Sequence, residues 1–366
     1  MTGRKHRAVK ACGFLARASL IFAAVLAQTN AAPAHGASVF VTAALGPPSK
    51  SFSDNHMRGA NTGAGVPAGE DAVERTSAAA AESMHVIGSP FGSDRVVAGG
   101  ADLPGWMMRS EAEGGAARDI SSADGVRVPI MIRVSEEDVR MAAEDGGRLA
   151  SLVGAPWVDM IAYVIAGNGE DRPMLKTAGG YVGTPQGLAM DVIGRLARGK
   201  PRLVSIDSGN RGGGGAALDA DELRAMVWSA VIHGASGIIY GDRGPAPGTS
   251  DGTPAALNAE MVEIHRLMKD MGNILLASTG LPNGVLLRMA PRGEMPAPDM
   301  MPYPFEARAY RTGNRVFYAI LNLSQEGGAV LDHAPFGIRG MAFGRYEVKF
   351  GYLPDDASYG RTGEAP

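Results

Sequence analysis

A single cysteine, Cys12, stands in a chain of 366 residues. It lies ahead of the first apolar run, outside any mature domain. The remaining chain therefore offers no disulfide framework, no thiol nucleophile and no thiolate metal site. Aromatic residues amount to only 6%, so large core anchors and stacking platforms are few. The formal net charge of −3 provides no basic field for nucleic acid. Phosphate-loop and dinucleotide glycine signatures are missing, and the glycine run at 212–215 lacks the Lys-Ser/Thr pair that would make it a phosphate cradle. His233, His265 and His333 share no metal-ligand spacing, and there is no H-E-x-x-H. Ser236 does not sit in a nucleophile elbow. These absences argue against cofactor or metal chemistry, and no cofactor is expected.

The rest is an ordinary globular composition, 45% hydrophobic and 20% charged, with glycine high at 51 residues. The N-terminus has the pattern of a secretory signal over 1–34. Arg4, Lys5, His6, Arg7 and Lys10 form a basic region, Leu20 to Leu26 an apolar one, and Ala32-Pro33-Ala34 a cleavage site. The apolar run is too short to span a bilayer. The expected location is secreted or periplasmic, with no membrane span in the mature chain. Oligomeric state has no sequence signal.

Apolar runs bounded by turn residues predict strands at 38–45, 60–66, 84–87, 103–108, 126–134, 157–165, 202–206 and 236–240. Helical periodicity falls between several of them, at 71–83, from Ser135 onward, and at 187–197, 219–232 and 257–276. Gly234 is placed to end the fourth of these helices. Eight strands alternating with helices predict a (β/α)8 TIM barrel over 38–278. Strands at 284–289, 307–310, 315–323 and 345–350 then follow without intervening helices. Thr312-Gly313-Asn314 is a hairpin turn. These predict a small antiparallel β-sandwich-like domain over 279–366.

In such a barrel the chemistry sits at the C-terminal strand ends. Asp207 ends the seventh predicted strand, and Glu111 and Glu113 follow the fourth. Strands four and seven lie across the mouth from one another. Carboxylates there suit glycoside hydrolysis, in which one acid protonates the leaving oxygen while the other attacks or activates water. Helix capping is the competing role for each acid. Trp106 and Trp228 are candidate sugar-stacking platforms and Tyr240 a candidate hydrogen-bond partner of the nucleophile, with core packing as the alternative for each. Asp242 with Arg243 makes either a contact or a surface pair. Asn61 either binds substrate or shapes a turn. His233 reads as the close of a helix rather than a catalytic group.

Several segments resemble motifs of secreted bacterial TIM-barrel glycoside hydrolase-like proteins. Gly105-Trp-Met-Met-Arg-Ser-Glu111-Ala-Glu113 is similar to their G-W-M-x-x-D-E-P-D. Asn61-Thr-Gly-Ala-Gly-Val-Pro67 is similar to G-I-N-T-x-x-G-x-P, and Asp119 to Pro129 to D-x-T-R-P. Val158-Asp-Met-Ile-Ala-Tyr163 resembles D-I-I-S-x-D-x-Y-P. Lys200-Pro-Arg-Leu-Val-Ser-Ile-Asp207 resembles K-P-V-W-x-x-I-E. Val227 to Tyr240 resembles V-W-x-A-L-I-H-G-A-R-G-I-x-Y-F, and Tyr318 to Ser324 resembles V-L-x-V-N-L-S. The likeness runs from about Ser38 to near the C-terminus. It implies a barrel glycosidase acting on an oligo- or polysaccharide, with Glu111 as acid/base and Asp207 as nucleophile or base. Asn61, Trp106, Glu113, Tyr163, Tyr240 and Asp242 are the implied substrate contacts. The chain departs from the pattern at Ser110 to Glu113, where the proline and both aspartates are replaced. It departs again at Asp207, one methylene shorter than glutamate. A catalytically degenerate secreted carbohydrate-binding protein is the alternative.

Overall fold

The computed structural model describes residues 41–45, 60–66, 78–79, 81, 84–88, 105–108, 130–144, 147–165, 175–176, 182–197, 199–207, 218–241, 255–276, 285–289, 305–312, 315–324, 328–333 and 338–353. In chain order the elements are β1 (Val41–Leu45), β2 (Thr62–Val66), β3 (His85–Gly88), β4 (Gly105–Met108), β5 (Ile130–Ser135), α1 (Glu136–Glu144), α2 (Gly147–Gly154) and β6 (Met160–Val164). There follow β7 (Leu175–Lys176), β8 (Val182–Gly183), α3 (Pro185–Leu196), β9 (Arg202–Asp207), α4 (Ala220–Ile232), β10 (Gly237–Gly241) and α5 (Ala255–Leu276). The chain then passes through β11 (Val285–Met289), β12 (Phe305–Thr312), β13 (Arg315–Asn322), β14 (Ala329–His333), β15 (Ile338–Phe343) and β16 (Val348–Leu353).

Eight strands pair in parallel and close on themselves in the order β1-β10-β9-β6-β5-β4-β3-β2. This is the expected TIM barrel. β5, β6, β9 and β10 are apolar on both sides because each faces the lumen with one set of side chains and the helices with the other. Ala43, Met131, Ala162, Leu203 and Ile239 fill the lumen as one cluster. Their neighbours Ile130, Ile132, Ile161, Tyr163, Val204, Ile206, Ile238 and Tyr240 join the helix-side core instead.

α4 is buried along nearly its whole length, at Leu223 and from Ala225 through Ile232. A helix apolar on every side needs a partner on every side, and the C-terminal sheet supplies the second. That sheet has the order β11-β12-β13-β16 and is antiparallel. Along β13 the period-2 alternation divides the side chains. Phe317, Ala319 and Leu321 share the helix-side core of the barrel, whereas Val316, Tyr318 and Ile320 pack with Leu331, Ile338 and Phe343 of the β14–β15 hairpin. Trp228 of α4 meets Phe350 of β16 edge-on, with centroids 4.7 Å apart. Burying an indole of this size is worth about 3 kcal/mol.

Helix ends follow their sequence signals. Asp219 and Glu222 form a reciprocal capping box at the start of α4. At its far end the Gly234 N–H donates to the Val231 carbonyl and the Ala235 N–H to that of Ala230. Gly234 has φ +95° there, so it stops the helix in the left-handed conformation that a side chain would resist.

Some elements carry no clear sequence signal. α2 is framed by glycines that hide the Leu149, Leu152 and Val153 stripe. β14 and β15 are five- and six-residue strands. β7 and β8 are two residues each. The helix expected over 71–83 and the turn residues Gly313 and Asn314 lie largely or wholly outside the described residues, although Thr312 and Arg315 pair across that turn.

Candidate active site at the barrel mouth

Met131 on β5 and Leu203 on β9 both point into the lumen. Strand alternation gives the same face to the residues two and four positions further on. On β5 these are Arg133, half-buried, and Ser135, exposed. On β9 the next such residue is Ser205, which is buried; Asp207 is the last residue of the strand. Asp207 pairs with Gly241, the last residue of β10. The lumen is thus apolar through its lower layers and turns polar toward the C-terminal end. The Ser135 hydroxyl donates to Asp138 at 2.6 Å, which ties the end of β5 to the first turn of α1.

The expected contact residues do not all converge on this end. Tyr163 and Tyr240 belong to the helix-side core, with side chains directed away from the lumen. Tyr240 lies against His265 of α5, ring centroids 5.2 Å apart. Burial, and then the charge of Glu260, push its phenol far above the usual range, and its hydroxyl has no hydrogen-bond partner. Asn61 sits at the N-terminal end of β2, at the opposite end of the barrel. There its Oδ1 accepts from the Thr42 N–H at 2.9 Å and from the Thr62 hydroxyl at 2.8 Å. Trp106 is in β4, paired in register with Ile130. Glu111, Glu113 and Asp242 lie outside the described residues.

Arg133 and Ser205 are not singled out by the sequence patterns above. Their signal is two polar residues spaced i, i+2 at the end of an otherwise apolar strand: Arg133 with Ser135, and Ser205 with Asp207.

A second charged cluster lies at the opposite end, where α4 finishes and β9 begins. Gly234 and Gly194 open the space for it. A Cβ at Gly194 would stand 1.8 Å from Arg202 Nη1, and one at Gly234 would stand 2.5 Å from Arg202 and 2.8 Å from Arg308. His233, whose side chain is wholly buried, has Nδ1 2.9 Å from Asp191 and Nε2 3.3 Å from Glu306. Arg202 donates to the Met190 carbonyl and Arg308 to that of Ile232. Burial works against the imidazolium, but the charges of Glu306 and Asp191 outweigh it and raise the His233 pKa to about 10. Burial, and then the like charge of Arg308, lower Arg202 to about 10. Charges at this end of a barrel serve stability rather than catalysis, which agrees with His233 as the C-cap of α4.

Among the described residues no group of three or more His, Cys, Asp or Glu is placed to hold a metal ion, and no helix is long and apolar enough to cross a membrane.

No protein-family model matches the sequence, and no curated protein matches it either. Solved structures do match by shape. A family 39 glycoside hydrolase from Bacteroides cellulosilyticus WH2 is 11% identical, covering 86% of this chain and 81% of that one, with a TM-score of 0.48. A GH30 endoxylanase from Clostridium papyrosolvens C71 is 10% identical, covering 87% and 95%, with a TM-score of 0.41. A phospho-2-dehydro-3-deoxyheptonate aldolase from Thermotoga maritima is 18% identical, covering 65% and 72%, with a TM-score of 0.38. The likeness is distant and spans more than one chemistry. The barrel itself rests on the strand pairing described above.

Proposed function

We propose that the protein is a glycoside hydrolase acting on an oligo- or polysaccharide, outside the cytoplasm, by a two-carboxylate mechanism. Asp207 acts as nucleophile or base and Glu111 as acid/base. The observation that carries the reading is the position of Asp207, the last residue of the seventh barrel strand and of the same parity as the lumen-facing Leu203 and Ser205. TIM-barrel enzymes draw their reacting groups from such positions. Glu111 follows the fourth strand, across the mouth from the seventh, and the separation of the two carboxyls would set retention or inversion.

A sugar-binding protein without turnover is the second reading. It is favoured by the use of Trp228, Tyr163 and Tyr240 as core residues, which removes three rings from a small set of possible stacking platforms.

The test is hydrolysis of a panel of aryl glycosides and polysaccharides by the parent, Glu111→Gln and Asp207→Asn. Turnover in the parent that both variants lose supports the hydrolase. Sugar binding with no turnover supports the second reading. Turnover that survives both substitutions refutes the assignment of these residues.

A further inference from the structure

The barrel and the C-terminal sheet each possess a core of their own. The barrel closes through its eight strands, and the sheet packs Phe305, Val316 and Ile320 against Leu331, Ile338 and Phe343 of its hairpin. Between them runs the seam along α4. Its apolar part is Trp228 against Phe350, with the row Phe317, Ala319 and Leu321. Its polar part is gathered at the C-terminal end of α4, where β12 meets the helix. The Arg308 guanidinium donates to the Ile232 carbonyl at 2.9 Å and the Tyr310 hydroxyl to that of Val231 at 3.3 Å. Glu306 is only 5% exposed. Among the described residues His233, at 3.3 Å, is its one ion partner.

We propose that the His233 proton fastens the C-terminal sheet to the barrel, and that its loss lifts the sheet off α4 while the barrel stays closed. A carboxylate is tolerated in a buried seam while a cation faces it, and removing one partner of such a pair is far more costly than replacing both. The groups around His233 divide accordingly. On α3, Asp191 stands 2.9 Å from Nδ1, but its side chain is 35% exposed, so water takes up its charge when the proton leaves. On β12, Glu306 has no such outlet. Arg202 on β9 and Arg308 on β12 are engaged by the Met190 and Ile232 carbonyls. Burial works against the imidazolium, and the pull of Glu306 leads the influences that favour it. The closed seam thus binds the proton more tightly than an open one, so rising pH favours opening and falling pH restores closure. Burial holds the Tyr310 phenol above its usual range, so it ionises later. Opening gives water access to Trp228 and the outer face of α4, while barrel and sheet each retain their own core.

The reporter is Trp228 in a full-length parent carrying Trp106→Phe and Trp157→Phe. Acrylamide quenching of its fluorescence is followed from about pH 7 to about pH 10, beside far-UV circular dichroism. Binding of anilinonaphthalene sulfonate to the unaltered chain gives a second reading of the exposed face. Trp228 of the parent should become quenchable as pH rises, with the circular dichroism unchanged. His233→Gln leaves Glu306 without a cation and should expose Trp228 already at about pH 7. Glu306→Gln leaves no carboxylate to strand, so the alkaline opening should be lost. The double variant His233→Gln/Glu306→Gln should be shielded again at every pH, a rescue that a merely space-filling role for either side chain does not produce. A parent whose Trp228 stays shielded throughout, or is exposed only together with loss of the circular dichroism, overturns the proposal. So does a Glu306→Gln protein that opens at the same pH as the parent, which would assign the titration to Arg202 or Tyr310. Should His233→Gln fail to fold, the comparison of the parent with Glu306→Gln decides alone.

Discussion

His233 should carry its charge far above the pH at which a free imidazole loses it. The side chain is wholly buried between Asp191 on α3 and Glu306 on β12, with Arg202 and Arg308 on its flank. Its pKa rises from 6.5 to about 10 on folding. The folded protein therefore holds a proton that the unfolded chain releases, so the stabilisation is complete below pH 6.5 and is lost as pH climbs toward 10. Each tenfold gain in proton affinity corresponds to about 1.4 kcal/mol, so the rise amounts to on the order of 5 kcal/mol. That is a large part of the roughly 5–15 kcal/mol typical of a whole domain. Urea unfolding of the parent between pH 6 and 9 should show stability falling by about 1 kcal/mol per pH unit across the upper part of that range. Arg202, lowered to about 10, titrates above this window. His233→Gln cannot be charged and leaves two carboxylates facing a neutral amide. It should be less stable by about 3–5 kcal/mol at pH 6, with the gap closing as pH rises. If parent and variant lose stability in parallel over pH 7–9, His233 is neutral in the folded protein and the ion-pair account is wrong.

Two further substitutions test the placement of single groups. Gly194→Val puts a side chain where Arg202 Nη1 already lies; it should cost about 2 kcal/mol or more, read as a lowered urea midpoint. Tyr240→Phe removes a buried hydroxyl that has no partner. It should leave stability unchanged or raise it by up to about 1 kcal/mol, and should leave turnover intact, since the ring faces α5 and not the lumen. A loss of turnover in a fully folded Tyr240→Phe protein would show that the phenol reaches the mouth.

The barrel is legible in the sequence because its strands are local events. Runs such as Met160–Val164 and Arg202–Asp207 are short, apolar and bounded by turn residues, and the helix from Ala220 carries both its capping box and its terminal glycine in sequence. What periodicity cannot give is the face. In a strand buried on both sides, Tyr240 and Ile239 are equally apolar in context, yet one packs on helices and the other fills the lumen. Without the register, Tyr163 and Tyr240 therefore read as mouth residues, and Arg133 does not stand out for the same reason. Asn61 is drawn in by a motif, but its position at the start of β2 commits its oxygen to backbone and hydroxyl donors. The ion cluster is illegible because it joins α3, α4, β9 and β12, brought together only by tertiary packing.

The double burial of α4 also bears on how the chain reaches its final state. The inner face of α4 is served by strands made before it and immediately after it. Its outer face waits for Phe317, Ala319, Leu321 and Phe350, which are made well after it. A nascent barrel would carry Trp228 and Val231 against water until those strands arrived, an adhesive surface for chaperones or for other unfinished copies. The C-terminal sheet thus completes the burial of a helix that precedes it in the chain.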